Sequence, residues 1–547
     1  MNGNFQFLDF LIFGIYAVGI IALGLWVSRD KKGTGRNAED YFLASKALPW
    51  WAIGASLIAA NISAEQIIGM SGSGFAGGLA IATYEWMAAA TLIIVGKFFL
   101  PVFIKKEIYT IPQFVEKRYN TTLKTILAVF WIALFIFVNL TAVLFLGAKA
   151  IDTIIGNGDG SLIIIAIVAL AFVAAAYSLW GGLSAVAWTD IIQVVLLVLG
   201  GVITTLIALN KVTPDGGIMN GISHTFDSAG DKFHMILKRS NPEYNNLPGI
   251  GVLIGGMWIA NLYYWGFNQY IIQRTLAAKS LKEAQRGIVF AAFLKLIIPL
   301  FVVIPGIVVF VMFSQPEGTN IIPGVAEAFT KADGTVNYDK AYPWLIGSFV
   351  PTGLKGLVVA ALAAAIVSSL ASMLNSTSTI FTLDIYKSYF NKNATDKQIV
   401  KVGRLSAFLA LLIACFTAPL LRSLPQAFQY IQEYTGIVSP GILAVFLMGL
   451  FWKKANARGA ITGAIASIPI ALILKLSIID LPWMDQMLYT AILTMVVIVG
   501  VSLSTGKEPD DAKAIPLVAS LFKTGKVFNI SAYVILILLA FLYTVFW

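Results

Sequence analysis

The sequence predicts an all-α membrane protein of fourteen transmembrane helices. Three observations carry that prediction: the apolar content, the recurrence of long apolar runs, and the uneven placement of positive charge. Of 547 residues, 58% are hydrophobic and only 12% charged, about half the charge of a soluble domain. In water such a chain would expose large apolar patches, whereas a bilayer takes them as the solvent-facing surface. One cysteine, Cys415, and two histidines, His224 and His234, leave no material for an internal disulfide, and they all but exclude a zinc cage, a Cys-His nucleophile or a Ser-His-Asp triad. The net charge of +10 comes from Lys and Arg scattered through short loops, which orients a membrane protein and is not a nucleic-acid surface.

Apolar runs long enough to cross a bilayer fall at 6–28, 48–76, 79–104, 124–151, 161–180, 185–210, 249–273, 286–313, 352–386, 398–420, 424–450, 457–476, 483–504 and 529–547. Met1 to Phe7 carries no Lys or Arg, while Arg29, Lys31, Lys32, Arg36 and Lys46 follow the first run. A cleaved leader puts its positive charge in front, so none is expected, and the amino terminus belongs outside. Alternating fourteen spans from there places most of the 38 Lys and Arg in the inside loops and both termini on the extracellular or periplasmic side. The polar stretches 211–248 and 314–351 then fall outside, too short for independent domains.

Two spans read as interrupted. The second contains Ala59-Ala60-Asn61-Ile62-Ser63-Ala64-Glu65-Gln66 before the glycine-rich 69–74, and the seventh contains Gly255-Gly256 before Ile259-Ala260-Asn261-Leu262-Tyr263-Tyr264. They lie five spans apart, so the two halves sit in opposite orientation. A matched pair of broken helices points to an inverted-repeat transporter with its site at the midplane; the plainer alternative is glycine for close helix packing. The expected organisation is a single transmembrane domain over 1–547: an extra helix at 6–28, repeats at 48–210 and 249–450, and three further helices in 457–547.

Gly72-x-Gly74-x-x-Gly77 follows a membrane helix instead of a strand, so it is no dinucleotide fingerprint, and no phosphate-binding loop with Gly-Lys-Ser/Thr occurs. Uphill work must therefore draw on an ion gradient. Ionisable groups inside spans are costly unless they face the bundle interior: Glu65, Glu85, Asp190 and Lys295 qualify, while Asp9, Lys97, Lys149 and Asp384 sit near span ends, free to snorkel. Glu85 and Lys295 are also candidates for a purely structural pair. The amides of Gln66, Asn139, Asn261, Gln429 and Gln432 need partners in a dry bundle. Many amides, one acid and one base among aromatics suit a neutral polyhydroxylated ligand, since carboxylate and amide oxygens accept from hydroxyls and ammonium and amide N–H donate. Ala365, Ser368 and Ser369 share a helix face. Serines in such runs commonly bond back to the preceding turn; facing an unwound helix with free carbonyls, they would instead complete an all-oxygen cage for a hard monovalent cation. Tyr84, Tyr264, Trp265 and Phe428 suit ordinary packing, though Tyr264, three residues after Asn261, is placed to lie flat on a ring.

The run Gly181-Gly182-Leu183-Ser184-Ala185-Val186 with Trp188-Thr189-Asp190 and Gln193 resembles one signature of the sodium:solute symporter family, and Gly449-Leu450 through Lys454 with Gly459-Ala460 and Gly463 resembles the other. Ala-Ala-Asn-Ile-Ser-Ala-Glu-Gln, Asn-Leu-Tyr-Tyr-Trp-Gly-Phe-Asn-Gln and Ala-Ile-Val-Ser-Ser-Leu-Ala-Ser-Met-Leu-Asn-Ser-Thr resemble sugar-carrying members, and the similarity runs nearly end to end. The resemblance implies a LeuT-like core of five plus five inverted helices, a bacterial inner-membrane location, and symport of sodium with a hexose, galactose or glucose, with no organic cofactor and no enzymatic activity. Carried over by position, it implies sodium ligands in the carbonyls of Ala59, Ile62 and Ala365 and the hydroxyls of Ser368 and Ser369. Sugar contacts would be Gln66, Glu85, Asn139, Asn261, Lys295 and Gln432. Tyr264, bonded to Asn61, would close the site from inside, Met70, Tyr84 and Phe428 from outside, and Asp190 would lie on the ion's route to the cytoplasm. Ala88 departs from the family pattern, which has a serine one turn after the site glutamate; losing that neutral hydrogen bond costs about 0.5–1.5 kcal/mol.

Rival expectations are symport of another neutral solute, such as myo-inositol or an amino acid; a lipid-linked transferase, for which Asp510-Asp511 is the only adjacent acidic pair and lacks supporting groups; and a sugar receptor, which would need a signalling module.

Overall fold

The computed structural model describes residues 5–27, 41–42, 44–63, 65–108, 110–156, 158–315, 322–331, 334–423, 427–476, 481–505 and 513–547, apart from the side chains of 45, 65, 177, 180, 181, 423 and 427–430. Among these residues the chain is helical, with only isolated β-bridges at Leu48–Ala278 and Thr330–Val336. Eleven described helices are long and apolar enough to cross a membrane, twelve when one bent pair counts as a span. Of the fourteen expected spans, 48–76 is broken into short pieces, and the apolar helix of 161–180 is reduced to Ile163–Ala176 before a kink.

The elements that build the site are α1 (Phe7–Val27), α2 (Trp50–Asn61), α3 (Met70–Gly77), α4 (Thr83–Ile94), α5 (Ile163–Lys211), α6 (Gly256–Phe267), α7 (Gln269–Leu276), α8 (Leu281–Val302), α9 (Leu354–Thr379), α10 (Ala427–Phe451), α11 (Trp483–Ser504) and α12 (Lys526–Val545). Burial separates centre from periphery. Within the apolar window, 94% of the α9 segment is buried but only 11% of α1 and 22% of α12, so α9 is the hub and the other two face lipid. α9 packs on α5, α2 and α7. Its hydroxyls suit that place, because Thr377 and Thr379 bond back to the carbonyls four residues earlier at 2.8 and 2.6 Å and need no outside partner.

Both expected interruptions are present. α2 ends at Ile62, where ψ turns to 90°, and a π-helical turn, Glu65–Gly69, leads into α3. In the other half, a short helix (Ile250–Ile254) meets α6 at Gly255 with a bend of 78°. The glycine run matters at Gly256: a Cβ there would lie 2.2 Å from the Met484 carbonyl, so its absence lets α11 lie directly against α6. A third break, at Gly182 within α5, has φ +59°. A side chain there would both be strained and meet the Tyr41 carbonyl at 2.3 Å, which accounts for the glycine in that signature.

Several charges placed by sequence at span ends or in loops are inside. Asp9 is fully buried, and its Oδ1 accepts from the backbone N–H of Gly353 and Gly356 at 2.7 and 2.8 Å; it caps the N-terminus of α9, where a carboxylate is favoured by the helix dipole, and does not snorkel. Asp384 is equally buried and accepts from Thr110 Oγ1 at 3.2 Å. Arg118, counted by sequence as a loop charge, is 1% exposed and donates to the carbonyls of Gly449, Trp452, Lys453 and Ala455 at 2.8–3.2 Å. It staples the C-terminus of α10, whose last carbonyls have no helical partners.

Candidate functional site

α4, α10 and α11 all pack on α6, and a cavity lies among them and α8. Gln66, Glu85, Asn261, Lys295 and Gln432 line it, as do Asn61, Tyr84 and Tyr264. The structure thus gathers, from six separate helical elements, most of the sugar-contact and gate residues singled out by sequence. Asn139 is buried in the π-helical stretch Leu134–Leu140 and is not among the lining residues. Met70 is wholly buried on α3 and is absent from the lining as well. The side chains of Phe428, Gln429 and Glu65, and the pair Asp510-Asp511, fall outside the described residues.

Charge at the cavity is paired. Lys295 Nζ donates to Glu85 Oε2 and to Asn61 Oδ1, and it sits 5.1 Å from the centre of the Trp265 ring, a cation–π contact. Neither side chain of the pair is more than 3% exposed. An ion pair at that depth survives only with further support, and here Asn61 supplies a hydrogen bond and the indole face a cation–π contact. Asn61 Nδ2 also donates to Tyr264 Oη at 3.0 Å, which accepts from Tyr270 Oη at 2.6 Å. By contrast, Gln66 Oε1 and Asn261 Nδ2 are buried with no hydrogen-bond partner. Buried polar groups without partners are uncommon and costly; facing a cavity, one acceptor and one donor await a polar ligand.

The second cluster lies where α2 ends beside α9. Ser63 N–H turns to the Asn61 carbonyl at 3.0 Å instead of continuing the helix, which relieves the Ala59 carbonyl of its usual partner. Ser369 Oγ donates to the Ala60 carbonyl at 3.0 Å and Ser368 Oγ to Asp190 Oδ1 at 2.5 Å. The buried Ser63 hydroxyl has no partner. Carbonyls and hydroxyls converging at a helix break form a hard-oxygen donor set, suited to an alkali cation and not to a soft metal. Among the described residues no group of three or more His, Cys, Asp or Glu is placed to hold a metal ion.

Arg274 was missed by sequence. It is 1% exposed; Nε donates to Ser56 Oγ at 2.6 Å, Nη2 to Asp190 Oδ2 at 3.3 Å, and further bonds reach Ser372 Oγ and the Tyr270 carbonyl. Asp190 also accepts from Ser56 Oγ at 2.5 Å. Two hydrogen-bonded groups therefore meet at Tyr270: its backbone carbonyl accepts from Arg274, which holds Asp190, and its hydroxyl donates to Tyr264, which is bonded through Asn61 to Lys295 and Glu85. The only signal in the sequence was an Arg directly following an apolar run, which also describes an ordinary loop charge.

The geometry can be compared with known proteins. A "Sodium/glucose cotransporter" of Vibrio parahaemolyticus is 62% identical over 99% of this chain and 98% of its own length. The human "Sodium/myo-inositol cotransporter 2" is 33% identical over 85% of this chain and 69% of that one. A solved structure, the substrate-bound outward-open state of a Na+-coupled sialic acid symporter, superposes with a TM-score of 0.78 at 25% identity, covering 92% of this chain and 98% of that one. The family model matches residues 41–467, a stretch that holds both helix breaks, the cavity wall of α4, α6, α8 and α10, and the oxygen cluster. The chain is a multi-pass membrane transporter, not an enzyme, and it belongs to the sodium:solute symporter family.

Proposed function

We propose that the protein couples inward flow of sodium to uptake of a neutral hexose, galactose or glucose, across the bacterial inner membrane by alternating access. One observation carries the reading: a cavity lined by a carboxylate, an ammonium and four amides, with two buried polar atoms unserved, beside an oxygen cluster at a helix break. A hexose offers hydroxyls that both donate and accept, as this set requires, and no surplus of positive charge is present to favour a free anion. The 62% identical relative, named a sodium/glucose cotransporter, supports the same choice.

In this reading Gln66, Glu85, Asn261, Lys295 and Gln432 bind the sugar, and Asn139 would join them only by a shift of its π-helical stretch. Sodium is cargo, held by the carbonyls of Ala59, Ile62 and Ala365 with Ser368 and Ser369; its arrival displaces the Ser369–Ala60 and Ser368–Asp190 bonds. Asp190 receives the ion on its way to the cytoplasm. Tyr264 with Asn61 closes the inner side, and Met70, Tyr84 and Phe428 the outer side. The chain crosses the bilayer fourteen times with both termini outside, and 48–210 and 249–450 form the inverted repeats of a LeuT-like core. Sodium locks the break after α2 against α9, which pre-organises the cavity, so each ligand tightens the other. One sodium moving down about 100 mV and a tenfold gradient releases about 3.7 kcal/mol, enough for about 500-fold accumulation at one to one.

The second reading is symport of myo-inositol, favoured by a relative at 33% identity named a sodium/myo-inositol cotransporter. Competition of labelled galactose uptake by glucose, myo-inositol and neutral amino acids in proteoliposomes tests the choice: hexoses alone should compete, and displacement by myo-inositol or an amino acid at lower concentration would overturn it.

A further inference from the structure

The cavity has a second polar wall, of which the sequence-derived contacts use only Gln432. On α10, Gln432, Thr435, Gly436 and Ser439 all line it, the i, i+3, i+4, i+7 spacing of one helix face. On α11, Trp483 and Met487 line it one turn apart. Gly436 fits closely under them: a Cβ there would lie 3.1 Å from Met487 Sδ and 3.4 Å from the Trp483 ring. Ser439 is 1% exposed, and neither its Oγ nor Trp483 Nε1 has a hydrogen-bond partner. Pro440 has no N–H, so the Gly436 carbonyl lacks its usual helical donor as well. Residues carrying an indole donor, a hydroxyl and a carbonyl acceptor thus line the same space. Ala88 also lines the cavity and offers no side-chain hydrogen bond.

We propose, building on the hexose reading above, that Ser439 and Trp483 form a specificity-determining subsite that binds a substrate hydroxyl on the ring edge remote from Glu85 and Lys295. Ser439 Oγ donates or accepts, and Trp483 Nε1 donates. The subsite belongs to α10 and to α11, a helix outside the two expected repeats, so substrate preference is set partly by the additional carboxyl-terminal helices.

The test is sodium-driven uptake in proteoliposomes of the wild type, Ser439→Ala and Trp483→Phe, read as competition by a hexose and each of its monodeoxy analogues. Each variant should weaken the parent hexose about fivefold to tenfold, the loss of a single hydrogen bond, and weaken every deoxy analogue equally except one. For the analogue lacking the contacted hydroxyl, wild type and variants should agree. Half-activation by sodium should stay unchanged, which separates a lost contact from a distorted fold. An equal loss for every analogue, or no loss for any, would overturn the subsite while leaving the hexose reading intact. A wild type that takes up no hexose would overturn both.

Discussion

Replacing Glu85 by Gln should cost this protein far more stability than removing Glu85 and Lys295 together. In the single variant the Lys295 ammonium keeps only Asn61 Oδ1 and the Trp265 face as partners, in a position where its side chain is 1% exposed. Breaking a buried pair by removing one partner costs about 3–5 kcal/mol, whereas replacing both by apolar or neutral groups of similar size is often neutral or stabilising. Glu85→Gln and Lys295→Met should therefore each lower the thermal midpoint in detergent clearly, and the double variant should recover most of the loss. Transport should behave oppositely: all three variants should lose sodium-driven sugar uptake, because carboxylate and ammonium both line the cavity. A double variant as unstable as the sum of the singles would show that the pair is not coupled. Sugar uptake by the recovered double variant would refute its part in substrate binding.

Ser369→Ala removes the hydroxyl now bonded to the Ala60 carbonyl; half-activation by sodium in uptake assays should rise about tenfold or more, the cost of one hydrogen bond to a charged group, with membrane insertion intact. Arg274→Lys should not restore what Arg274→Met removes, since a point charge cannot reach Asp190, Ser56 and Ser372 together; thermal stability and sodium activation of the two variants check this. Tyr270→Phe removes the hydrogen bond by which Tyr270, held at its backbone carbonyl by Arg274, holds Tyr264 at the cavity, and isothermal titration should find that sodium tightens sugar binding several-fold less than in the wild type. Arg118→Met exposes four carbonyls at the end of α10; it should lower thermal stability by about 2–3 kcal/mol without moving the sodium or sugar concentrations at half-maximal uptake.

What could be foreseen divides along physical lines. Apolar runs and the two broken helices were legible because Asn61, Ser63 and Gly255-Gly256 are conspicuous within stretches that otherwise exclude polar and flexible residues. Glu85 and Lys295 stood out for the same reason, as charges that need a partner at membrane depth. Arg118 and Arg274 were illegible: the first lies in an expected loop and the second at the edge of an apolar run, where a positive charge ordinarily reaches water, and only partners distant in sequence, Gly449 for one and Ser56 and Asp190 for the other, bring them inside. Ser439 carried no signal, because a lone serine in an apolar helix usually bonds to its own backbone. The kink at Gly182 falls between the expected spans 161–180 and 185–210, so hydropathy placed that boundary where the backbone breaks.

The central claim is that an alkali ion held between the break after α2 and the hydroxyls of α9 drives sugar uphill. Purified protein in liposomes, with labelled galactose outside and an inward sodium gradient imposed, measures it directly. The account predicts transient accumulation above the outside concentration that vanishes when potassium or choline replaces sodium. Equal uptake in all three salts, or none in sodium, would contradict it.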